Sequence, residues 1–159
     1  MDTLLALLQT DSQRSHADIA QELGINEAEV AARIAAAEKA GLILGYQAVI
    51  DRSKLAKRGV RALIEVRISP EQGGGFDRLA RRISQYPQVR DCYLMSGAYD
   101  LGVIIEGDDL YDVATFVSEK LSTLNGVLAT ATLFELKAYK QAGFIIDQGL
   151  QEERLPVAP

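Results

Sequence analysis

The chain has 159 residues, of which 48% are hydrophobic, and its formal net charge is −5. This length suits one compact domain or two small ones, and no apolar run approaches the roughly 20 residues that a transmembrane helix needs. The leucine-rich N-terminus lacks the basic region and cleavage site of a signal peptide, and the single Cys92 excludes an intrachain disulfide or a cysteine-based metal cluster, so we expect a cytoplasmic protein without metal or cofactor.

The first 41 residues are predicted to form three short helices. The leucines of residues 4–8 recur at helical spacing, and "SHADIAQELG" begins with a capping pair, Ser15 and Asp18, and ends at a glycine. "NEAEVAARIAAAEKAG" begins with Asn26 as N-cap and Glu29 three residues later. Because only "GIN" joins the second and third helices, the pattern indicates a helix-turn-helix.

The charge of the chain is unevenly distributed around the third helix. Residues 1–48 hold three basic and seven acidic side chains, whereas residues 49–72 hold six basic and three acidic ones. A net negative charge disfavours nucleic-acid binding, in which phosphate contacts supply much of the affinity. The basic concentration lies just after the helix that would read DNA.

The segment after the third helix changes period. "LILGYQAVID" is β-like, with a probable turn at Gly45, and predicts a small wing or a connecting strand. "AKRG" then indicates a hinge. The expected boundaries are a (winged) helix-turn-helix domain over residues 1–50 and a hinge over residues 51–59.

The remainder alternates strands and helices. "VRALIEVRI", "VRDCYLMSG", "YDLGVIIEG" and "GVLATATLFELKAY" have strand patterns, and "GFDRLARRISQYP" and "DLYDVATFVSEKLSTL" have amphipathic helical ones. The order β-α-β-β-α-β predicts an α+β, ferredoxin-like domain over residues 60–140, with helices on one face of an antiparallel sheet. Residues 141–159, acidic and proline-punctuated, are predicted to form a C-terminal arm or a partly disordered tail.

These segments, taken together and in this order, resemble the Lrp/AsnC (feast/famine) family of transcription regulators. The matching stretches are "LLQTDSQRSHADIAQELGINEAEVAARI", "AGLILGYQAVID", "YLMSGAYDLGVIIEGDDL" and "VSEKLSTLNGVLATATLFELK". The resemblance covers roughly residues 1–140. It implies double-stranded DNA as a partner, small effectors, commonly amino acids, bound between sensing domains, and homodimers that assemble further into tetramers or octamers.

The third helix departs from what base readout requires. Its predicted outer face is centred on Ala28, Ala32, Ala35 and Lys39, whereas readout uses Arg, Lys, Asn or Gln side chains. The candidate DNA contacts are therefore mostly cationic or polar residues on and around this helix: Gln13, Arg14, Ser15, His16, Arg33, Lys39, Arg52 and Lys54. A solvated hinge explains the last two equally well.

Two turns and one strand supply the candidate effector site. The family places effectors near the turn that corresponds to Ser96, Gly97, Ala98, Tyr99 and Asp100. Asn125 and Gly126 form the turn before the last strand, on which Thr130 and Thr132 share a face. These residues would complete a polar pocket across an interface, although ordinary cross-strand packing accounts for the threonines equally well.

Two other functions compete with the regulator. The first is a metabolite-binding oligomer whose degenerate helix-turn-helix is mainly structural. The second is an enzyme, since some tetrapyrrole decarboxylases share this two-domain plan. Those enzymes use histidines in the sensing-type domain, and residues 60–140 contain none; no nucleophile–base pair appears elsewhere, so an enzyme is not expected.

Overall fold

The computed structural model describes residues 3–69 and 75–146, and the predicted tail from residue 147 onward lies outside the described residues. The chain divides into two compact units. Among the described residues, the first combines those up to Ile50 with Lys140–Ile146, and the second comprises those between Asp51 and Tyr139. No helix in the described part of the chain is long and apolar enough to cross a membrane.

The first unit contains the helix-turn-helix that the capping pattern predicts. Its helices are α1 (Thr3–Thr10), α2 (His16–Leu23) and α3 (Glu27–Lys39). They enclose a small core of buried apolar side chains: Leu4, Leu8, Ile19, Ala20 and Val30. The core is small because α1 and α2 have only eight residues each, so the hydrogen bonds that cap the helix ends add to its stability.

Helices α2 and α3 begin and end where their local chemistry requires. The Ser15 side chain accepts a hydrogen bond from the backbone N–H of Asp18, and the Asn26 side chain accepts one from that of Glu29. Each bond satisfies one of the unpaired N–H groups in a first turn. Gly24 ends α2 at φ +66°, a left-handed conformation that glycine adopts without steric cost.

The predicted wing strand is absent from the described residues. Residues 43–50 form neither helix nor strand, and Leu42, Leu44 and Tyr46 remain exposed. This segment has the two-residue period of a strand, but a strand forms only where a second strand pairs with its backbone. No neighbouring segment of the described chain does so here.

The start of the predicted C-terminal arm is instead a short hairpin. Its strands are β5 (Lys140–Gln141) and β6 (Phe144–Ile145), labelled here in chain order after the four strands of the second unit. Ala142 and Gly143 join them at φ +45° and +89°. Two left-handed residues match the right-handed twist of the flanking strands, so they favour a tight antiparallel turn over an extended arm.

The second unit has the predicted β-α-β-β-α-β order. A one-turn 3₁₀ helix, Arg52–Lys54, precedes the sheet. The elements are then β1 (Val60–Ile68), α4 (Gly75–Ile83), β2 (Val89–Leu94), β3 (Leu101–Gly107), α5 (Leu110–Thr115) with a π-helical continuation (Phe116–Leu121), and β4 (Val127–Phe134). The four strands form one antiparallel sheet in the order β2-β3-β1-β4, which is the ferredoxin-like arrangement.

Helices cover one face of this sheet. Every second residue of β1 is buried under them: Ala62, Ile64, Val66 and Ile68. The helices contribute Leu79 and Ile83 of α4, Val113 of α5, and Phe116 and Leu121 of its π-helical continuation. The intervening residues of β1 point to the other face, as the two-residue period of a strand dictates. That second face is open in the single chain.

Candidate functional site

The outer face of α3 is as poor in hydrogen-bonding groups as the sequence predicts. Val30 and Ala37 are buried, whereas Ala28, Ala32 and Ala35 are exposed. An exposed methyl group offers a base edge only an apolar contact, such as that with the methyl group of thymine. Sequence readout by this helix should therefore be sparse, and its affinity for DNA must come from charged neighbours.

Arg33 is the arginine of α3, and a carboxylate of the same helix already holds it. Its Nη2 atom lies 2.5 Å from Oε1 of Glu29, one helical turn earlier. Both side chains remain accessible, with 47% and 42% of their surfaces exposed. Lys39 is exposed and forms no ion pair within the described residues. A phosphate would therefore meet Lys39 directly but would have to displace Glu29 from Arg33.

The beginning of α2 is more acidic than the sequence prediction assumed. Arg14 forms an ion pair with Glu22, and the Ser15 hydroxyl donates to Oδ2 of Asp18 at 2.6 Å. The surface hollow at this point is lined by Asp11, Gln13, Arg14, Ser15, Asp18, Gln21 and Glu22. Two of the residues predicted to contact phosphate, Arg14 and Ser15, are thus bonded to carboxylates of the same unit. Gln13 and His16 are exposed beside them.

Arg52 and Lys54 lie in the second unit rather than with the helix-turn-helix. Arg52 Nη2 is 2.9 Å from Oε2 of Glu106, and Lys54 Nζ is 3.3 Å from Oδ2 of Asp51. A hydrogen bond from the Ser53 side chain, assisted by Lys54, holds the pKa of Asp51 below its usual value. The basic concentration seen in the sequence is thus largely paired with acids of its own unit.

The turn from Ser96 to Asp100 is fastened to the end of β1. The backbone N–H of Ile68 donates to Oδ2 of Asp100 at 2.7 Å, and the Nε–H of Arg67 donates to the carbonyl oxygen of Ala98 at 2.9 Å. Gly97 takes φ +140° within this turn, a conformation that side chains disfavour. One oxygen of Asp100 therefore has a structural role. Ser96, Gly97 and Ala98 are exposed, and Tyr99 and Asp100 are half-buried.

The second predicted turn meets the same end of β1. The backbone N–H of Ser69 donates to the carbonyl oxygen of Gly126 at 2.8 Å, directly after the residue that binds Asp100. The Ser96–Asp100 turn and the Asn125–Gly126 turn, which are distant in the sequence, are thereby brought to the same end of the sheet. A cavity of about 350 Å³ opens there, lined by Ile68, Ser69, Arg78, Leu79, Arg82, Asn125 and Gly126.

Sequence reasoning missed the arginines of this cavity. Arg78 and Arg82 lie four residues apart on α4 and both line it. The available signal was their spacing, which places two guanidinium groups on one side of an amphipathic helix. Their common direction toward the turn at Asn125 depends on how α4 packs against the sheet.

The two threonines of β4 do not join the cavity lining. Thr130 lies opposite Val66 and Thr132 opposite Ile64, so both project from the helix-covered face. The Thr130 hydroxyl is 3.2 Å from that of Ser122, and Thr132 is exposed. Packing between the last strand and the preceding helix accounts for Thr130 in the single chain.

Comparison with known proteins agrees with both units. Residues 3–38 match the model of the AsnC-type helix-turn-helix domain, and residues 61–144 match that of the Lrp/AsnC ligand binding domain. The uncharacterised regulator YugG of Bacillus subtilis is 43% identical over 98% of this chain and 95% of its own length. A proline dehydrogenase transcriptional activator of Rhodobacter capsulatus is 30% identical over 76% of this chain and 78% of its own.

A solved structure shares the fold across most of the chain. A transcriptional regulator of Neisseria meningitidis, solved as a complex with L-Met, superimposes with a TM-score of 0.68 and 22% identity, over 87% of this chain and 89% of that one.

Proposed function

Because this chain belongs to the Lrp/AsnC family of transcriptional regulators, we propose that it binds its operator through α3 as a two-fold pair and senses a free amino acid at the edge of its sheet. The family consists of regulators and not of enzymes. The helix-turn-helix is intact rather than degenerate, since all three helices form and residues 3–38 match the domain. A regulator of transcription would act in the cytoplasm, where its DNA is.

One observation carries the proposal for DNA binding: α3 has a capped N-terminus and a fully exposed outer face bearing Arg33 and Lys39. Gln13, Arg14, Ser15 and His16 flank it as secondary contacts. Arg52 and Lys54, both paired with acids of the second unit, contribute to DNA binding only if those pairs open. Affinity should therefore come from few phosphates and depend correspondingly weakly on salt.

Fluorescence anisotropy tests this proposal with a duplex from the region upstream of the protein's own gene and a scrambled duplex of equal length. Arg33→Ala and Lys39→Ala should each weaken binding several-fold, whereas Ala32→Gly, a matched change on the same face, should have a smaller effect. Equal affinity for both duplexes at every salt concentration would contradict a sequence-specific regulator. Equal effects of the three substitutions would remove α3 from the interface.

The proposed effector is an amino acid held near the turns Ser96–Asp100 and Asn125–Gly126. Its support is that the two turns are hydrogen-bonded to consecutive residues, Ile68 and Ser69, at the same end of β1. The second oxygen of Asp100 would bind an ammonium group. Thr130 and Thr132 lie on the helix-covered face, so they would contribute only through a contact between subunits other than the one on the open face. The L-Met complex of the Neisseria relative favours this ligand class.

A panel of amino acids added to the anisotropy assay tests the effector. An effector acts only through different affinities for two arrangements of the subunits, so binding must change the affinity for DNA in one direction. Asp100→Asn should weaken the response while the helix-turn-helix still binds DNA. A flat response to the whole panel would overturn the proposed ligand class.

The open face of the sheet supports a homodimer. Leu63 and Ile104 are half-buried on it, and Tyr93 and Leu133 are 54% and 47% exposed. These side chains form an apolar patch beside the ion pairs of Arg61 on the same face. A second copy of the chain would stabilise such a patch by removing it from water. Leu133→Glu should therefore yield monomers in analytical ultracentrifugation, whereas Leu136→Glu, a change at a 96% exposed leucine outside the strand, should not. A Leu133→Glu variant that remains dimeric would contradict this interface. The sedimentation of the unsubstituted protein in the same experiment shows whether its dimers assemble further into tetramers or octamers.

A further inference from the structure

We propose that the cavity between α4 and the Asn125–Gly126 turn is a carboxylate-binding subsite whose specific ligand is a small aliphatic acid. The inference rests on the proposed effector site and assigns the part of it that takes the ligand's anionic group. The cavity opens at the end of β1, at the edge where both turns are attached.

The charged side chains that line the cavity are cationic among the described residues. Arg78 and Arg82 contribute guanidinium groups, Asn125 contributes an amide, and no carboxylate belongs to the lining among the described residues. The side chains of Arg82 and Asn125 form no hydrogen bond or ion pair within residues 3–69 and 75–146, and both residues are exposed. A planar guanidinium matches a carboxylate with two parallel hydrogen bonds, and the amide NH₂ supplies a further donor.

The two backbone N–H groups at the end of β1 are already used. The N–H of Ile68 is bonded to Asp100, and the N–H of Ser69 is bonded to the carbonyl oxygen of Gly126. An anion in the cavity would therefore be held by the side chains of Arg82 and Asn125 rather than by these two N–H groups. This differs from sites in which consecutive backbone N–H groups hold a phosphate.

The remaining walls set the size and polarity of the ligand. Ile68 and Leu79 line the cavity with apolar side chains that are only 4% and 6% exposed. A volume of about 350 Å³ is at the lower end of the range for small-molecule sites. A compact acid with an aliphatic body fits both features, and the α-carboxylate of an apolar amino acid or its 2-oxo acid presents the same group.

Isothermal titration calorimetry of the full-length protein tests the subsite with a fixed set of probes. These are L-leucine, L-methionine and L-alanine, the amide of each, 4-methyl-2-oxopentanoate, and inorganic phosphate. At least one acid should bind, and its amide should bind about tenfold or more weakly because it lacks the charge that Arg82 pairs with. Binding of the oxo acid as well as L-leucine would identify the carboxylate alone as the recognised group, whereas binding of L-leucine only would add the ammonium contact at Asp100.

Three variants distinguish the subsite from a general charge effect. Arg82→Gln should weaken binding of the acid about 10- to 100-fold, the range expected for losing hydrogen bonds to a charged group. Asn125→Ala should weaken it less. Arg81→Gln removes the same charge from the adjacent exposed position of α4, which does not line the cavity, and should leave binding unchanged.

Several results would overturn the subsite: no binding of any acid, an amide that binds as tightly as its acid, phosphate that binds more tightly than every carboxylate, or equal effects of Arg81→Gln and Arg82→Gln. The same variants separate this inference from the proposed function. If Arg82→Gln leaves an amino acid's effect on DNA binding intact, only the subsite fails. If acids bind through Arg82 but none changes the affinity for DNA, the subsite stands and the effector role fails.

Discussion

Replacing Glu29 with glutamine should make the protein bind DNA more tightly. Glu29 holds the guanidinium of Arg33 on the exposed face of α3, so a phosphate can use Arg33 only after breaking that pair. Glutamine removes the competing charge and keeps the length of the side chain. The helix cap is preserved because Asn26 accepts from the backbone N–H of residue 29, which the substitution leaves in place.

The size of the effect follows from the exposure of the pair. An ion pair between residues i and i+4 of an exposed helix contributes about 0.3–0.5 kcal/mol. A dimer presents two copies of α3, so the gain is about 0.6–1 kcal/mol, which corresponds to roughly three- to fivefold tighter binding. If each freed Arg33 gains one phosphate contact, the slope of log K against log[salt] should steepen by about 0.9 per contact.

Glu27→Gln is the matched control, measured by anisotropy over a series of salt concentrations. Glu27 is the other acid in the first turn of α3, and its loss has the same effect on the helix dipole and on the net charge. It is not bonded to Arg33. Equal tightening by both substitutions would refute the specific role of the pair. So would tightening by Glu29→Gln in a background of Arg33→Ala, where no guanidinium remains to be released.

Three further predictions concern the second unit. Gly59→Ala should destabilise it by about 2–3 kcal/mol in urea denaturation, because φ is +63° and an added Cβ would lie 2.9 Å from the carbonyl oxygen of Gly107. Asp100→Ala should cost about 1–3 kcal/mol in the same assay by leaving the N–H of Ile68 unpaired, and Asp100→Asn much less. Burial raises the pKa of the half-buried Cys92 thiol, so less thiolate is present at pH 8 and iodoacetamide should react more slowly with the folded chain than with the chain in urea; equal rates would contradict the burial.

The helix-turn-helix was predictable because its signals are local. Ser15 with Asp18, Asn26 with Glu29, and Gly24 each act within one turn of backbone, and the structure confirms all three. The order of strands and helices in the second unit was equally predictable from the change between two- and 3.6-residue periods. The prediction of a wing strand was wrong for the opposite reason. Residues 43–50 have a strand-like period, but a strand forms only when a second strand pairs with it, and the local sequence does not specify that second strand.

The sequence by itself determined the two folds, the family and the alanine-rich outer face of α3, since these depend on spacing, capping and periodicity along the chain. Only the tertiary structure decided which charges remain available. It pairs Arg52 with Glu106, 54 residues away, and it brings Arg82 to the turn at Asn125. Such encounters are set by the packing of α4 and of the strands on one core, and charge counts along a chain carry no information about which acid a given arginine will meet.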